Sequence, residues 1–185
     1  MAARPVRILL VSGSLRAGST NTALLRTAQA VAPEGVETTL YEGMASLPQF
    51  NPDDDAEGTA PHPAVAELRA AIASADALLF STPEYAGALP GAFKNLLEWT
   101  VGDASTYRKP VAWVNTSGPA APTGAADAHD SLRKVLGYVG AAIVEDACAR
   151  IPVARGAVDE DGLITDETIR AEVGAVLQTL TQQAS

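Results

Sequence analysis

A chain of 185 residues with 47% hydrophobic content carries enough apolar material for one α/β domain with a sizeable core, and two full domains would be cramped. A net charge of -9 and a pI near 4.6 argue against nucleic-acid or anionic-membrane surfaces, which would repel the chain overall. Cys148 is the sole cysteine, so an internal disulfide and a thiolate metal cluster are excluded, and His62 and His129 lack zinc-site spacing.

The N-terminus runs into a short apolar stretch that is too brief to span a membrane and lacks the features of a signal peptide, which places the protein in the cytoplasm. Val6 to Ser12, built on the apolar run Ile8 to Val11, bears the mark of a strand buried on both faces of a parallel sheet. The next ten residues, Ser12 to Asn21, read as a phosphate cradle. Gly13 and Gly18 permit a sharp strand-to-helix turn, Ser14, Ser19, Thr20 and Asn21 add short donors, and Arg16 is the only cation.

From Gly13 to Thr20 the spacing is that of a nucleoside-triphosphate loop, but Ser19 stands where the phosphate-neutralising lysine must be. The dinucleotide fingerprint Gly-x-Gly-x-x-Gly is also missing. A terminal monophosphate fits better. The competing reading is a Gly/Ser turn in which Ser19 or Thr20 is an ordinary helix N-cap.

Ala23, Leu24, Thr27 and Val31 recur at helical spacing until Pro33 and Gly35, and Val36 to Tyr41 alternates as a second strand. Pro48 to Pro63 is a long loop inside the alternating series. A second helix begins near Pro63, with Val65, Leu68, Ala71 and Ile72 as its stripe, and ends at Asp76. Ala77 to Ser81 is the third strand and runs directly into Thr82-Pro-Glu-Tyr-Ala-Gly. Pro90 opens a third helix at its first turn, with Leu89, Phe93, Leu96 and Leu97 on the buried face and Trp99 near the far end.

Val111 to Thr116 is the fourth strand, with Trp113 read as core, and a Gly/Ser/Pro loop follows from Ser117 to Gly124. A fourth helix starts near Asp127 and stops at Gly140. Ala141 to Ile151 is read as one fifth strand carrying Cys148 as a buried, inert thiol. Thr165 is read as the cap of a last helix with Asp166 and Glu167 in its first turn. Five strands alternating with five helices give a doubly wound parallel sheet of flavodoxin-like order 2-1-3-4-5 across residues 1–185, with ligands expected beyond the carboxyl ends of strands one and three.

Gly13-Ser-Leu-Arg-x-Gly-Ser-x-Asn21, joined to Thr82-Pro-Glu-Tyr85 and Leu89-Pro-Gly-x-x-Lys-Asn95, resembles the NADPH-dependent FMN reductase family of flavodoxin-like quinone, azo-dye and chromate reductases. Leu47-Pro48 and Asn51-Pro52-Asp53 extend the likeness through the long loop. The resemblance implies a non-covalent FMN, with NADPH or NADH as co-substrate and a flavin, quinone or similar small molecule as acceptor. By resemblance, Ser14, Arg16, Ser19, Asn21 and the Thr20 amide hold the 5'-phosphate. Pro83, Glu84, Tyr85, Ala86 and Gly87 border the ring and ribityl groups, mainly through backbone, and Ser117 and Gly118 add the loop after strand four.

Glu84 reads equally as a surface or interface carboxylate, and Tyr85 as a core or dimer-contact aromatic. Ala86 departs from the family's usual asparagine, so a side-chain contact near the ring is absent. Ser117-Gly118-Pro119 departs from Ser-Pro-Gly. No catalytic side chain is assigned, because flavin hydride transfer needs no protein acid or base, and both histidines are read as solvated surface residues. The family's dimers and tetramers imply a homo-oligomer. The rival readings are a flavodoxin-type electron carrier without nicotinamide turnover, against which Arg16 counts, and a flavin-free interaction protein, prompted by Ala86.

Overall fold

Val6–Ser12 forms β1 because seven extended, mostly apolar residues can be covered on both faces, and Ile8 to Val11 are almost wholly buried. The structure is a computed structural model that describes residues 4–118 and 121–184; Pro119, part of the loop departure noted above, lies outside them. The chain continues as α1 (Thr20–Ala30), β2 (Val36–Tyr41), α2 (Pro63–Ser74), β3 (Ala77–Ser81), α3 (Gly91–Glu98) and β4 (Pro110–Asn115). Then come α4 (Ala126–Tyr138), β5 (Ala142–Ile143), β6 (Ala149–Arg150) and α5 (Glu167–Gln183).

The strands are parallel in the order β2-β1-β3-β4-β5, and β6 extends the last pairing by lying beside β4. Leu10 is in register with Leu40 on one side and Leu79 on the other, so β1 sits at the centre of the site's scaffold. Strand alternation divides the core. Leu9, Val11, Phe80 and Trp113 face α2, α3 and α4, where Leu68, Phe93 and Leu132 cover them. Ile8, Leu10, Leu79 and Val114 face α1 and α5, where Leu24, Leu25, Val173 and Leu177 cover them.

The long loop is fastened rather than loose. The Asn95 side chain accepts from the Phe50 amide at 2.7 Å and donates to the Pro48 carbonyl at 2.8 Å, which the Trp99 indole also reaches at 2.9 Å. Arg69 clamps Asp55 and the Trp99 carbonyl. The Leu89-to-Asn95 motif thus does structural work at the base of the long loop.

Four sequence expectations change. The fifth strand is broken by a 3-10 turn over Glu145–Ala147, because the exposed pair Glu145 and Asp146 would leave two charges in a strand covered on both faces. Asp166, not Thr165, caps α5: its Oδ1 accepts from the Thr168 and Ile169 amides at 2.9 and 3.0 Å, and a carboxylate also complements the helix dipole. The second helix stops at Ser74, freeing Asp76 to bind Arg4 and the Arg7 amide. Pro90 occupies the N-cap of α3 instead of its first turn. Among the described residues, no helix is long and apolar enough to cross a membrane.

Candidate functional site

The loops leaving the carboxyl ends of β1, β3 and β4 enclose a crevice of about 630 Å³, within the range of small-molecule sites. Sheet topology puts it there: the order in which strands are added reverses between the parallel neighbours β1 and β3, so their crossovers part and leave an opening.

The first wall is the stretch after β1. Gly13 donates its amide to the Ser81 carbonyl at 2.8 Å, and a Cβ in its place would come within 2.6 Å of the Thr82 Cβ, so only glycine fits. Ser19 occupies the N-cap position of α1 in extended conformation, yet its side chain makes no capping bond. The ordinary-cap reading therefore loses its bond, and the first-turn amides of α1 remain uncapped by Ser19, as an anion site requires. Ser14 and Ser19 are buried, at 8% and 4% exposure.

Asn21 ties the wall to the sheet. Its Oδ1 accepts from the Ser81 and Thr116 hydroxyls at 2.9 and 3.1 Å, which leaves the amide nitrogen as the donor end. Arg16 is exposed, and its guanidinium donates to the Gly18 carbonyl at 2.8 Å. With one of its five N–H groups so used, the rest are available. Arg16 is the only cationic side chain among the described lining residues.

The second wall is Pro83, Glu84 and Tyr85. Tyr85 is half-exposed, and its backbone pairs with Ala88 in both directions across a two-residue turn. Ala86 and Gly87 form that turn with φ of 52° and 72°, the positive pair a type I′ turn demands. Asparagine suits such a position for its backbone tolerance alone, so Ala86 is a conformational departure. Neither Ala86 nor Gly87 lines the crevice.

The Glu84 carboxylate turns to the third wall. It accepts from the Thr123 hydroxyl at 2.6 Å and from the Ala128 amide at 3.2 Å. The Thr123 hydroxyl, and then the Ala128 and Asp127 amides, hold the carboxyl below its ordinary range. Ser117 and Gly118 line this wall, together with Thr116, Thr123 and Ala125, which sequence reasoning missed. Their signal was position at a strand end within a Gly/Ser/Pro loop. Val153 and Ala154, also on the lining, carried none.

His129 is corrected: it is buried, not solvated. It sits one turn before Leu132 on the inward face of α4, with its ring centroid 6.2 Å from that of Trp113. Its Nδ1 bonds the Ala125 carbonyl at 2.6 Å, so Nδ1 carries the proton, and Nε2 is buried without a hydrogen-bond partner. Burial lowers its pKa from 6.5. His62 is exposed, and its Nδ1 accepts from the Ala64 amide as the N-cap of α2. Cys148 is partly buried, its thiol pushed up to about 11 chiefly by burial, which makes it a poor nucleophile. No histidine or cysteine is among the described residues that line the crevice.

Residues 6–155 match the family model for NADPH-dependent FMN reductases. The chain is 34% identical over 177 residues to the NAD(P)H-dependent FMN reductase PA1204 of Pseudomonas aeruginosa, covering 95% of this chain and 93% of that protein. It is 32% identical to a 2-hydroxy-1,4-benzoquinone reductase of a Burkholderia species, covering 89% and 88%. Among solved structures, FerB of Paracoccus denitrificans, a flavoenzyme NAD(P)H:(acceptor) oxidoreductase, aligns with a TM-score of 0.78 at 30% identity over 96% of this chain and 98% of that one. A flavodoxin of Pseudomonas aeruginosa aligns with a TM-score of 0.55 at 19% identity over 97% of each chain, which shares the fold alone. With the three crevice walls in the order its motifs require, the chain belongs to the NADPH-dependent FMN reductase family.

Proposed function

We propose that this protein is an FMN-dependent oxidoreductase that moves two electrons from NADPH or NADH to a flavin, a quinone or a similar small acceptor. The observation that carries this reading is the uncapped N-terminus of α1, set beside a crevice whose other two walls lie at the ends of β3 and β4. The residues present fit FMN. Buried Ser14 and Ser19 hydroxyls, the Thr20 amide, the Asn21 amide group and Arg16 supply donors for a phosphate dianion. Pro83, Glu84, Tyr85, Ser117 and Gly118 offer backbone along the remaining space, while Ala86 and Gly87 fix the loop from behind.

Bound FMN supplies hydride acceptance and two-electron return. The chain binds, orients and partly shields. Arg16 offsets phosphate charge in an otherwise acidic protein. Half-exposed Tyr85 borders the open side, where a flat co-substrate must enter, and the openness suits varied acceptors. With the Glu84 carboxylate engaged by Thr123 and Ala128, no described carboxylate is aimed at a reduced, negatively charged ring.

We further read residues 1–185 as a single domain in the cytoplasm, supported by the lone cysteine and acidic charge, and the working form as a homodimer or homotetramer. Support for the oligomer comes from Val101 and Tyr138, 63% and 87% exposed, beside the groove between α3 and α4. Light scattering at micromolar concentration reads that state directly.

The decisive experiment is a visible spectrum of protein reconstituted with FMN, before and after NADPH or NADH, followed by a quinone. Flavin absorbance bleached by the nicotinamide and restored by the quinone is the expected result. Failure to retain FMN, or retention without bleaching by either nicotinamide, removes the reading.

A further inference from the structure

The helix α4 begins without a cap of its own. Its N-cap residue, Ala125, has no polar side chain and sits in the left-handed conformation at φ 61°. The missing acceptor comes from 44 residues earlier in the chain: the Glu84 Oε2 takes the Ala128 amide, the third of the helix, at 3.2 Å. The other carboxylate oxygen takes the Thr123 hydroxyl at 2.6 Å, and the same hydroxyl oxygen accepts from the Ala125 amide at 3.2 Å. On the far side, His129 Nδ1 holds the Ala125 carbonyl, so the strained residue is gripped from both ends.

We propose that Glu84 is a positioning residue: its carboxylate caps α4 across the crevice and so fixes the wall after β3 against the wall after β4. The proposal rests on the flavin reading. Glu84, Thr123 and Ala125 all border the crevice, and a shift of either wall changes the width of the slot between them. A local side-chain cap on Ala125 would secure the helix but leave the two walls independent. Borrowing the cap from the opposite wall couples them, and a carboxylate suits the role because it takes two donors and complements the dipole of α4. Glu84 acts through this link and not by touching the ring.

The test uses wild type, Glu84→Ala, Glu84→Gln, Thr123→Val and the Glu84→Ala/Thr123→Val double variant, all checked for folding by circular dichroism. In flavin-free protein, exchange of the Ala128 amide is expected to accelerate about tenfold in Glu84→Ala. FMN affinity is expected to fall about tenfold in Glu84→Ala, less in Glu84→Gln, which keeps one acceptor oxygen, and in Thr123→Val. The double variant should resemble Glu84→Ala, because both changes cut one link.

A carboxylate acting directly on the flavin would instead shift its midpoint potential equally in Glu84→Ala and Glu84→Gln, with Thr123→Val silent; that pattern overturns the proposal. Additive Glu84 and Thr123 effects on FMN affinity in a wild type that binds FMN overturn it alone. A wild type that takes up no FMN removes the flavin reading, and the proposal with it.

Discussion

Gly13 and Thr82 sit in van der Waals contact where the chain leaves the adjacent strands β1 and β3, and there is no room for a methyl group between them. A Cβ on Gly13 would lie within 2.6 Å of the Thr82 Cβ and 2.9 Å of the Phe93 ring. Thr82 is 1% exposed and Phe93 is fully buried, so neither yields without moving its loop or helix. Gly13→Ala is expected to cost about 1–3 kcal/mol of stability by overpacking. It should also weaken FMN binding, because Pro83 follows Thr82 directly and forms the second wall. Urea denaturation and FMN titration measure the two effects, and a neutral Gly13→Ala would show that the walls are not in contact.

Arg16 supplies the only cationic side chain among the described residues that line the crevice. Its guanidinium is held near the start of α1 by the Gly18 carbonyl. Arg16→Ala is expected to weaken FMN binding by about 1.5–3 kcal/mol, the range for a charge-assisted hydrogen bond. Arg16→Lys should recover part of the loss as a point charge without the planar fork. Fluorescence quenching of FMN reads both, and unchanged affinity in Arg16→Ala would remove the phosphate from this loop.

Ala86 carries left-handed backbone strain that its side chain does nothing to relieve. At φ 52°, followed by Gly87 at 72°, it holds the first central position of a tight turn. Ala86→Gly is expected to stabilise the protein by up to about 1 kcal/mol, since the cost of the left-handed conformation for an L-residue exceeds the entropy glycine adds to the unfolded chain. Ala86→Asn should stabilise in the same direction. FMN affinity should change little in either, because the residue lies behind the crevice. A large affinity gain in Ala86→Asn alone would restore the side-chain contact that the sequence comparison with the family suggested.

That contrast shows what a sequence carries about such a site. The apolar runs of β1 and β3 can be read directly because both faces are buried, and the residues at their carboxyl ends then have to lie together. Ser14, Arg16, Ser19 and Asn21 follow from one loop, since neighbours in the chain are neighbours in space. The Glu84–Thr123 link joins residues 39 apart whose types have no necessary partner, and nothing local announces it. The burial of His129 on α4 depends on the indole of Trp113, which comes from β4. The break in the fifth strand was present in the sequence as Glu145 and Asp146, where two charges interrupt an apolar run.

His129 also gives the fold a pH dependence whose sign can be worked out. Burial lowers its pKa below the ordinary 6.5, against the smaller opposing pulls of the Ala125 carbonyl, Glu84 and Asp130. The native ring therefore stays neutral while the unfolded ring takes up a proton. Its contribution to stability is complete above pH ~6.5 and is lost as pH falls from there toward the lowered native value. Asp76, Glu84 and Glu145 have pKa values held down, mainly by hydrogen bonds from Arg4, Thr123 and Arg133 respectively, so their contributions disappear only below the ordinary carboxylate range of about 4 to 4.5. The window between pH ~6.5 and ~4.5 isolates the histidine. There, wild-type stability should decline with falling pH at no more than about 1.4 kcal/mol per pH unit, the limit for one proton. His129→Phe fills the same space against Trp113 and cannot titrate. It loses the Ala125 bond, which lowers its stability near neutral pH, but its stability should be flat across the window. Urea midpoints taken from pH 7.5 to 5 separate the two effects, because the bond sets the offset and the proton sets the slope. A slope that survives in His129→Phe would assign the dependence to another group.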